Sequence, residues 1–334
     1  MRDEDHDHDA GAAGLRSTPA FATPLFMSPL FLQHNTGMHP ENPGRYLAIQ
    51  QALAPSGLLR GRPLPPFTPA TDEQITRIHS SAHLRRLEEI TAHGGGWINH
   101  DTMVDTDSLE VARLAAGAGI AAVDYALDGK PGHRHAFALG RPPGHHATPD
   151  RAMGFCLLNN VAIAAAHSLH RGVARIAIID WDVHHGNGTQ DCFYGSNNVL
   201  FCSLHQWPLY PGTGASEETG LGEGKNWTRN IPLPPGSDDL VYLDAFDRIV
   251  ASAVRAAQPE LIIVSAGYDA HIDDPLGGME ITTEGFRMLT QRVCVLADEL
   301  CDGRLALILE GGYHPAALAA SVLASIGELD RPSQ

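Results

Sequence analysis

The stretch ARIAIIDWDVHHGNGT, residues 174–189, joins an uninterrupted apolar run to a turn crowded with acids and histidines. A continuous aliphatic run, unlike an alternating one, is the pattern of a strand covered on both faces. Comparable runs are HAFALG (135–140), VLFCSL (199–204), ELIIVSA (260–266) and RLALILE (304–310). Helical segments lie between them. Residues 105–129 read as a helix opened by an Asp107–Glu110 capping box and closed by Gly129. Further helices are expected over 159–171, 239–257 and 283–301, and Pro315 suits the first turn of a last one ending near Leu329. Strands alternating with helices predict an α/β fold, with a mostly parallel central sheet and helices on both faces.

Each buried run is followed by polar chemistry. RPPGHH supplies His145 and His146 behind the first. WDVHHGNGT supplies Asp182, His184, His185 and Asn187 just after Asp180. GYDAH supplies Asp269, and GGYH supplies Tyr313. Ligands of open parallel sheets gather outside the carboxyl ends of strands, so these clusters are expected to converge on one crevice. Asp182 and His184, two apart in an extended segment, would leave from one face. Asp269 is the best third ligand, which makes an open carboxylate–imidazole set suited to zinc, or to Fe(II) or Co(II). Pro142, Pro143 and Gly144 predict a turn that lets both His145 and His146 line the crevice. Asp180 and Asn187 are placed to fix one imidazole tautomer each. A phenol at Tyr313 could stabilise an oxyanion beside a metal.

With 43% hydrophobic and 19% charged residues over 334 positions, the composition is that of an ordinary globular protein, long enough to bury roughly three quarters of its unfolded surface. The apolar stretch FATPLFMSPLFL (21–32) is broken by Pro24 and Pro29 and follows an acidic segment, so it reads as the lead-in to the fold and not as a signal or a membrane span. A formal charge of −16 argues against gripping nucleic acid and is compatible with cationic partners. Five cysteines without a CxxC pair suggest a reducing compartment, with the cytoplasm as the default. Residues 1–20 are expected to be a disordered acidic, histidine-containing tail; no linker appears after residue 40, and 21–334 reads as one catalytic domain.

The chain resembles the histone deacetylase family, particularly class II enzymes and bacterial histone-deacetylase-like amidohydrolases. RPPGHH, GFC, DWDVHHGNGTQ, SLH, PGTG, SAGYDAHIDDPLGG and EGGY occur in family order between about Gln33 and Leu329. The resemblance implies the arginase–deacetylase fold and a zinc-dependent deacylase. Asp182, His184 and Asp269 would be the zinc ligands, His145 and His146 the tandem histidines, with His146 the main general base, and Tyr313 the oxyanion donor. Asn187 stands where class I members carry aspartate, which should keep His146 neutral more readily. Asp180, Ser203 and Leu204, with the main-chain carbonyls of Asp182 and His184, match a family potassium site. Phe193, Ser196, Val199 and Trp227 match a second one. Phe155 and Tyr210 match the walls that clamp an acyl-lysine stem, and Gly154 would let the wall approach closely. Leu276 occupies the gate where a polyamine-specific relative carries glutamate. The implied substrate is acyl-lysine in a protein or peptide, the alternative being an acetylated polyamine. An oligomer remains compatible with the sequence.

Overall fold

The computed structural model describes residues 22–132 and 134–332, so the expected tail at 1–20 lies outside the described residues. The strands in chain order are β1 (Leu25–Phe26), β2 (Gly96–Trp97), β3 (Met103–Val104), β4 (His135–Ala138), β5 (Ile176–Asp180), β6 (Val199–Gln206), β7 (Thr228–Leu233), β8 (Leu261–Ala266) and β9 (Leu305–Leu309). The helices are α1 (Pro43–Ser56), α2 (Asp72–Ile75), α3 (Ser81–Ala92), α4 (Ser108–Asp128), α5 (Asn160–His170), α6 (Asn187–Phe193), α7 (Asp239–Ala245), α8 (Ala251–Ala257), α9 (Thr283–Cys301) and α10 (Pro315–Leu329). A π-helical turn, Phe246–Val250, joins α7 to α8, so the single helix expected over 239–257 is continuous but widened and underwound at that turn.

The main sheet has seven strands in the order β1-β4-β9-β8-β5-β6-β7, every neighbouring pair parallel. The apolar runs explain this. All residues of β5, β8 and β9 are buried, which only a strand covered on both faces allows. Full burial of each large aliphatic side chain contributes about 1.5–3 kcal/mol. One face is covered by α4, which packs on α5; the other carries α9, which packs on α10 and through it on α1.

Both edges escaped the sequence reading. β7 contains Pro232 and β1 follows Pro24, and a proline lacks the N–H that an interior strand needs, so strands of this kind sit at edges. The stretch read as a mere lead-in therefore supplies an edge strand. The capping box at the start of α4 is also corrected. Asp107 makes no side-chain cap. Instead Ser108 Oγ accepts the Asp105 N–H at 2.7 Å and donates to Asp105 Oδ1 at 2.6 Å, a local ring that leaves Asp107 in solvent.

From β5 the chain winds outward through β6 to β7, then returns to place β8 on the other side of β5 and continues through β9. The switch in winding direction falls between β5 and β8. Their carboxyl ends open a crevice there.

Candidate functional site

Asp182 leaves the end of β5 and Asp269 the end of β8, facing each other across that crevice. With His184 they offer ligand atoms that all lie within 4.8 Å of one another. His184 Nδ1 is 3.1 Å from Asp182 Oδ1 and 3.2 Å from Asp269 Oδ2. The extended segment expected here is not what brings Asp182 and His184 together. Residues 182–184 bend. Asp180 Oδ1 accepts the Asp182 N–H at 3.1 Å, and Asp182 Oδ1 accepts the His184 N–H at 2.9 Å. These successive side-chain-to-backbone turns aim both groups at one point.

The donor set fits a divalent cation. Asp182 and Asp269 are 1% and 0% exposed, so their charges need compensation by positive charge or N–H donors close by. Burial and the neighbouring Asp182 charge push Asp269 up to about 7. Burial opposes a charge on His184, yet hydrogen bonds to both carboxylates raise it to about 10, so it takes up a proton where a metal would supply positive charge. The backbone is cut to fit these carboxylates. A Cβ on Gly267 would stand 2.3 Å from Asp182 Oδ2, and one on Gly311 would stand 2.1 Å from Asp269 Oδ2. The Gly311 N–H also donates to Asp182 Oδ2 at 2.9 Å, and the Val183 N–H to Asp269 Oδ1 at 2.8 Å.

His145 and His146 occupy the middle of a turn closed by the Ala147 N–H on the Gly144 carbonyl at 3.0 Å, and their rings stand 4.1 Å apart. Asp180 Oδ2 takes His145 Nδ1 at 2.9 Å; Asn187 Oδ1 takes His146 Nδ1 at 2.8 Å. Both imidazoles are thus pinned by Nδ1, as the spacing of Asp180 and Asn187 suggests. Their electrostatics diverge. Burial disfavours a charge on either ring, but Asp182 and Asp180 override it at His145 and raise it well above the usual histidine range. At His146 burial is reinforced by His145 and His184, and the neutral Asn187 cannot offset them, so it falls well below that range.

Tyr313 lies on the turn between β9 and α10. Its ring meets Phe155 edge-on at 5.6 Å, and the Arg45 guanidinium stands 4.8 Å from its centre. Burial raises its phenol well above 10, so it stays protonated. Phe155 holds φ +70°, a left-handed conformation costly for a bulky residue, and follows Gly154 at φ +57°. The Asp101 carboxylate and the Thr102 hydroxyl accept the N–H groups of Gly154 and Phe155 at 3.1 and 3.2 Å and hold that turn. Gly154 is needed for closeness to His146, whose ring atom Cδ2 would be 2.3 Å from a Cβ there. Tyr210 meets His146 edge-on at 5.1 Å. Leu276, half-buried, donates its N–H to Asp274 at 3.0 Å.

Of the residues matched to ion sites, Asp180 and Ser203 are register partners on β5 and β6, with Leu204 next along. In the second set, the Phe193 carbonyl accepts the Ser196 N–H at 2.9 Å, and the Trp227 carbonyl accepts the Phe201 N–H at 2.9 Å, near the start of β6 where Val199 lies.

Several residues escaped the sequence reading. Glu310, fully buried, accepts the N–H groups of Gly144 and His145 at 2.6 and 3.1 Å and so holds the histidine turn. Buried Arg45 donates to the Glu310 and Gly312 carbonyls at 2.5 and 2.6 Å, and buried Glu41 links it to Arg141. Asp101 carries a buried carboxylate oxygen that makes no hydrogen bond among the described residues. Glu310 could have been suspected as a lone acid ending a buried run. Asp101 and Arg45 follow no such run.

The model of the histone deacetylase domain family matches residues 39–329. The chain is 41% identical over 294 residues to the histone deacetylase-like amidohydrolase of Pseudomonas aeruginosa, covering 87% of this chain and 77% of that protein. It is 42% identical over 278 residues to a probable deacetylase of Archaeoglobus fulgidus, covering 82% and 76%. The crystal structure of the HDA15 HD domain superposes with a TM-score of 0.86 at 36% identity, covering 94% of this chain and 91% of that one.

Proposed function

The chain belongs to the histone deacetylase family and is a hydrolase acting on amide bonds, and from that premise we propose that residues 21–334 form one zinc-dependent deacylase domain that cleaves the amide of acyl-lysine in proteins or peptides. The observation that carries the reading is the convergence of Asp182, His184 and Asp269 beside two histidines of opposite electrostatic character. Those three residues would hold the zinc. When bound, zinc supplies a Lewis acid that polarises the carbonyl and makes water acidic enough to attack near neutral pH.

The remaining work falls to side chains. His146, kept neutral, accepts the proton of the attacking water and later gives it to the departing amine as the C–N bond breaks. His145 stays cationic between Asp180 and Asp182 and holds positive charge beside the reacting centre. Tyr313 donates its phenol hydrogen to the carbonyl oxygen as that oxygen gains charge. Phe155 and Tyr210 flank the aliphatic stem of the substrate, with His146 beyond them. Leu276 presents an apolar gate that offers a distant ammonium nothing to pair with, which favours acyl-lysine over an acetylated polyamine. Potassium would sit against Asp180, Ser203 and Leu204, and a second ion near Phe193, Ser196, Val199 and Trp227. No helix among the described residues is long and apolar enough to cross a membrane, and the five cysteines are all free, in keeping with a cytoplasmic enzyme.

The test is a panel of acetyl-lysine peptides, longer acyl-lysine peptides and acetylated polyamines presented to the zinc-loaded protein. Peptides should show the highest kcat/KM. Faster turnover of polyamines would overturn the substrate assignment, and no hydrolysis of any amide would overturn the deacylase itself.

A further inference from the structure

The turn from Glu310 to His314 contains Gly311 and Gly312, the latter at φ +120°, so its backbone has little intrinsic stiffness. Tyr313 projects from it. Two groups grip this turn from opposite sides. Arg45 donates to the carbonyls of Glu310 and Gly312. Asp274, 6% exposed, supplies the complementary acceptor: its Oδ2 takes the N–H groups of Tyr313 and His314 at 2.5 and 3.1 Å. His314 caps α10, so these N–H groups belong to the electropositive start of a fifteen-residue helix, where a carboxylate is favoured. The other oxygen of the same carboxylate takes the Leu276 N–H at 3.0 Å.

We propose that Asp274 is a positioning residue that couples the two halves of the site: one carboxylate ties the loop bearing the Leu276 gate to the turn bearing Tyr313, and so fixes where the phenol stands relative to the channel. The inference deepens the deacylase reading and rests on Tyr313 being the oxyanion donor. Asp274 touches no reacting atom; it acts through main-chain N–H groups. Charge-assisted bonds of this kind are the strong ones, and three of them converge here. Without the carboxylate, the Tyr313 and His314 N–H groups lose their acceptor, and the turn keeps only upstream holds, among them Arg45 on the Glu310 and Gly312 carbonyls and the Gly311 N–H on Asp182. A displacement on the order of 1 Å at a catalytic group costs up to about 10²-fold in rate.

The experiment is a double-mutant cycle on the zinc-loaded full chain, with Asp274→Ala, Tyr313→Phe and both together. It is read as kcat, KM, zinc per chain and melting temperature. Asp274→Ala alone should lower kcat about tenfold or more while KM moves less than about threefold and zinc stays near wild type. In the presence of Tyr313→Phe the same change should cost nothing further, because the group it positions is already gone. Asp274→Asn, which keeps one acceptor oxygen, carries the test if the alanine variant does not fold and should show a smaller drop of the same kind. Additive losses, an unchanged kcat, or failure of both Asp274 variants to fold would overturn the proposal. An inactive wild type, or a Tyr313→Phe variant of normal turnover, would strike the deacylase reading first and this inference with it.

Discussion

Replacing Asn187 by aspartate should move the acidic limb of the rate profile upward. In the structure Asn187 Oδ1 sits 2.8 Å from His146 Nδ1, and Asn187 is only 7% exposed. His146 is held well below the ordinary histidine value by burial and by the charges of His145 and His184, with no anionic partner of its own. A neutral base is therefore available even on the acid side of about pH 6.5. Asn187→Asp adds a negative charge at that position, and the start of α6 favours its ionised form. A unit charge about 4 Å from the imidazolium, at an effective dielectric near 20, is worth about 4 kcal/mol. At about 1.4 kcal/mol per unit this caps the rise near 3 pKa units, and 1–3 units is roughly the range such pairs show. The sign follows directly. A raised pKa means His146 is protonated at higher pH, so the base is lost earlier as pH falls and the acidic limb of kcat/KM shifts up. The assay is kcat/KM for an acyl-lysine peptide between about pH 5 and 9, with zinc content checked at each end. An acidic limb that stays where it is in the wild type would refute both the assignment of His146 as base and the electrostatic reasoning.

Asp269→Ala should lose zinc and turnover together and leave the Val183 N–H without its acceptor; a variant retaining stoichiometric zinc would require another third ligand. His79 offers a test away from the chemistry. Its Nδ1 pairs with the Thr148 carbonyl at 3.0 Å and its Nε2 accepts the Asn159 N–H at 2.8 Å, which fixes a neutral tautomer. Burial and the neighbouring His83 lower it to about 3. The unfolded chain binds a proton there near pH 6.5 and the folded chain does not. Its contribution is thus intact above that pH and lost as pH falls toward 3, by about 2 kcal/mol at pH 5. His79→Gln should therefore show a shallower loss of melting temperature between pH 7 and 5 than the wild type, and parallel slopes would reject the account.

Much of the candidate site was legible because the proposed chemistry needs rare side chains at the ends of apolar runs. His145, His146, Asp182, His184, Asp269 and Tyr313 stand out for that reason. Asp274 and Asp101 did not, although the first falls inside the quoted DAHIDDPLGG segment. Their work is to accept main-chain N–H groups, and any surface acid could do that, so residue type alone does not mark them. The strands β1 and β7 were missed for a different reason: edge strands tolerate proline and need not be uniformly apolar, which removes the signal that identifies interior ones.

By itself, the order of residues determined that buried parallel strands exist and which of them end in acids, imidazoles or a phenol, because local periodicity and composition suffice for that. It did not determine that β5 lies beside β8. That neighbour relation brings His184 within 3.2 Å of Asp269, 85 positions away. Strand order arises from how helices α4, α5, α9 and α10 cover the sheet, a property of long-range packing. The divergent charge states of His145 and His146 are tertiary in the same sense: two adjacent, chemically identical side chains differ because the fold sets carboxylates beside one and an amide beside the other.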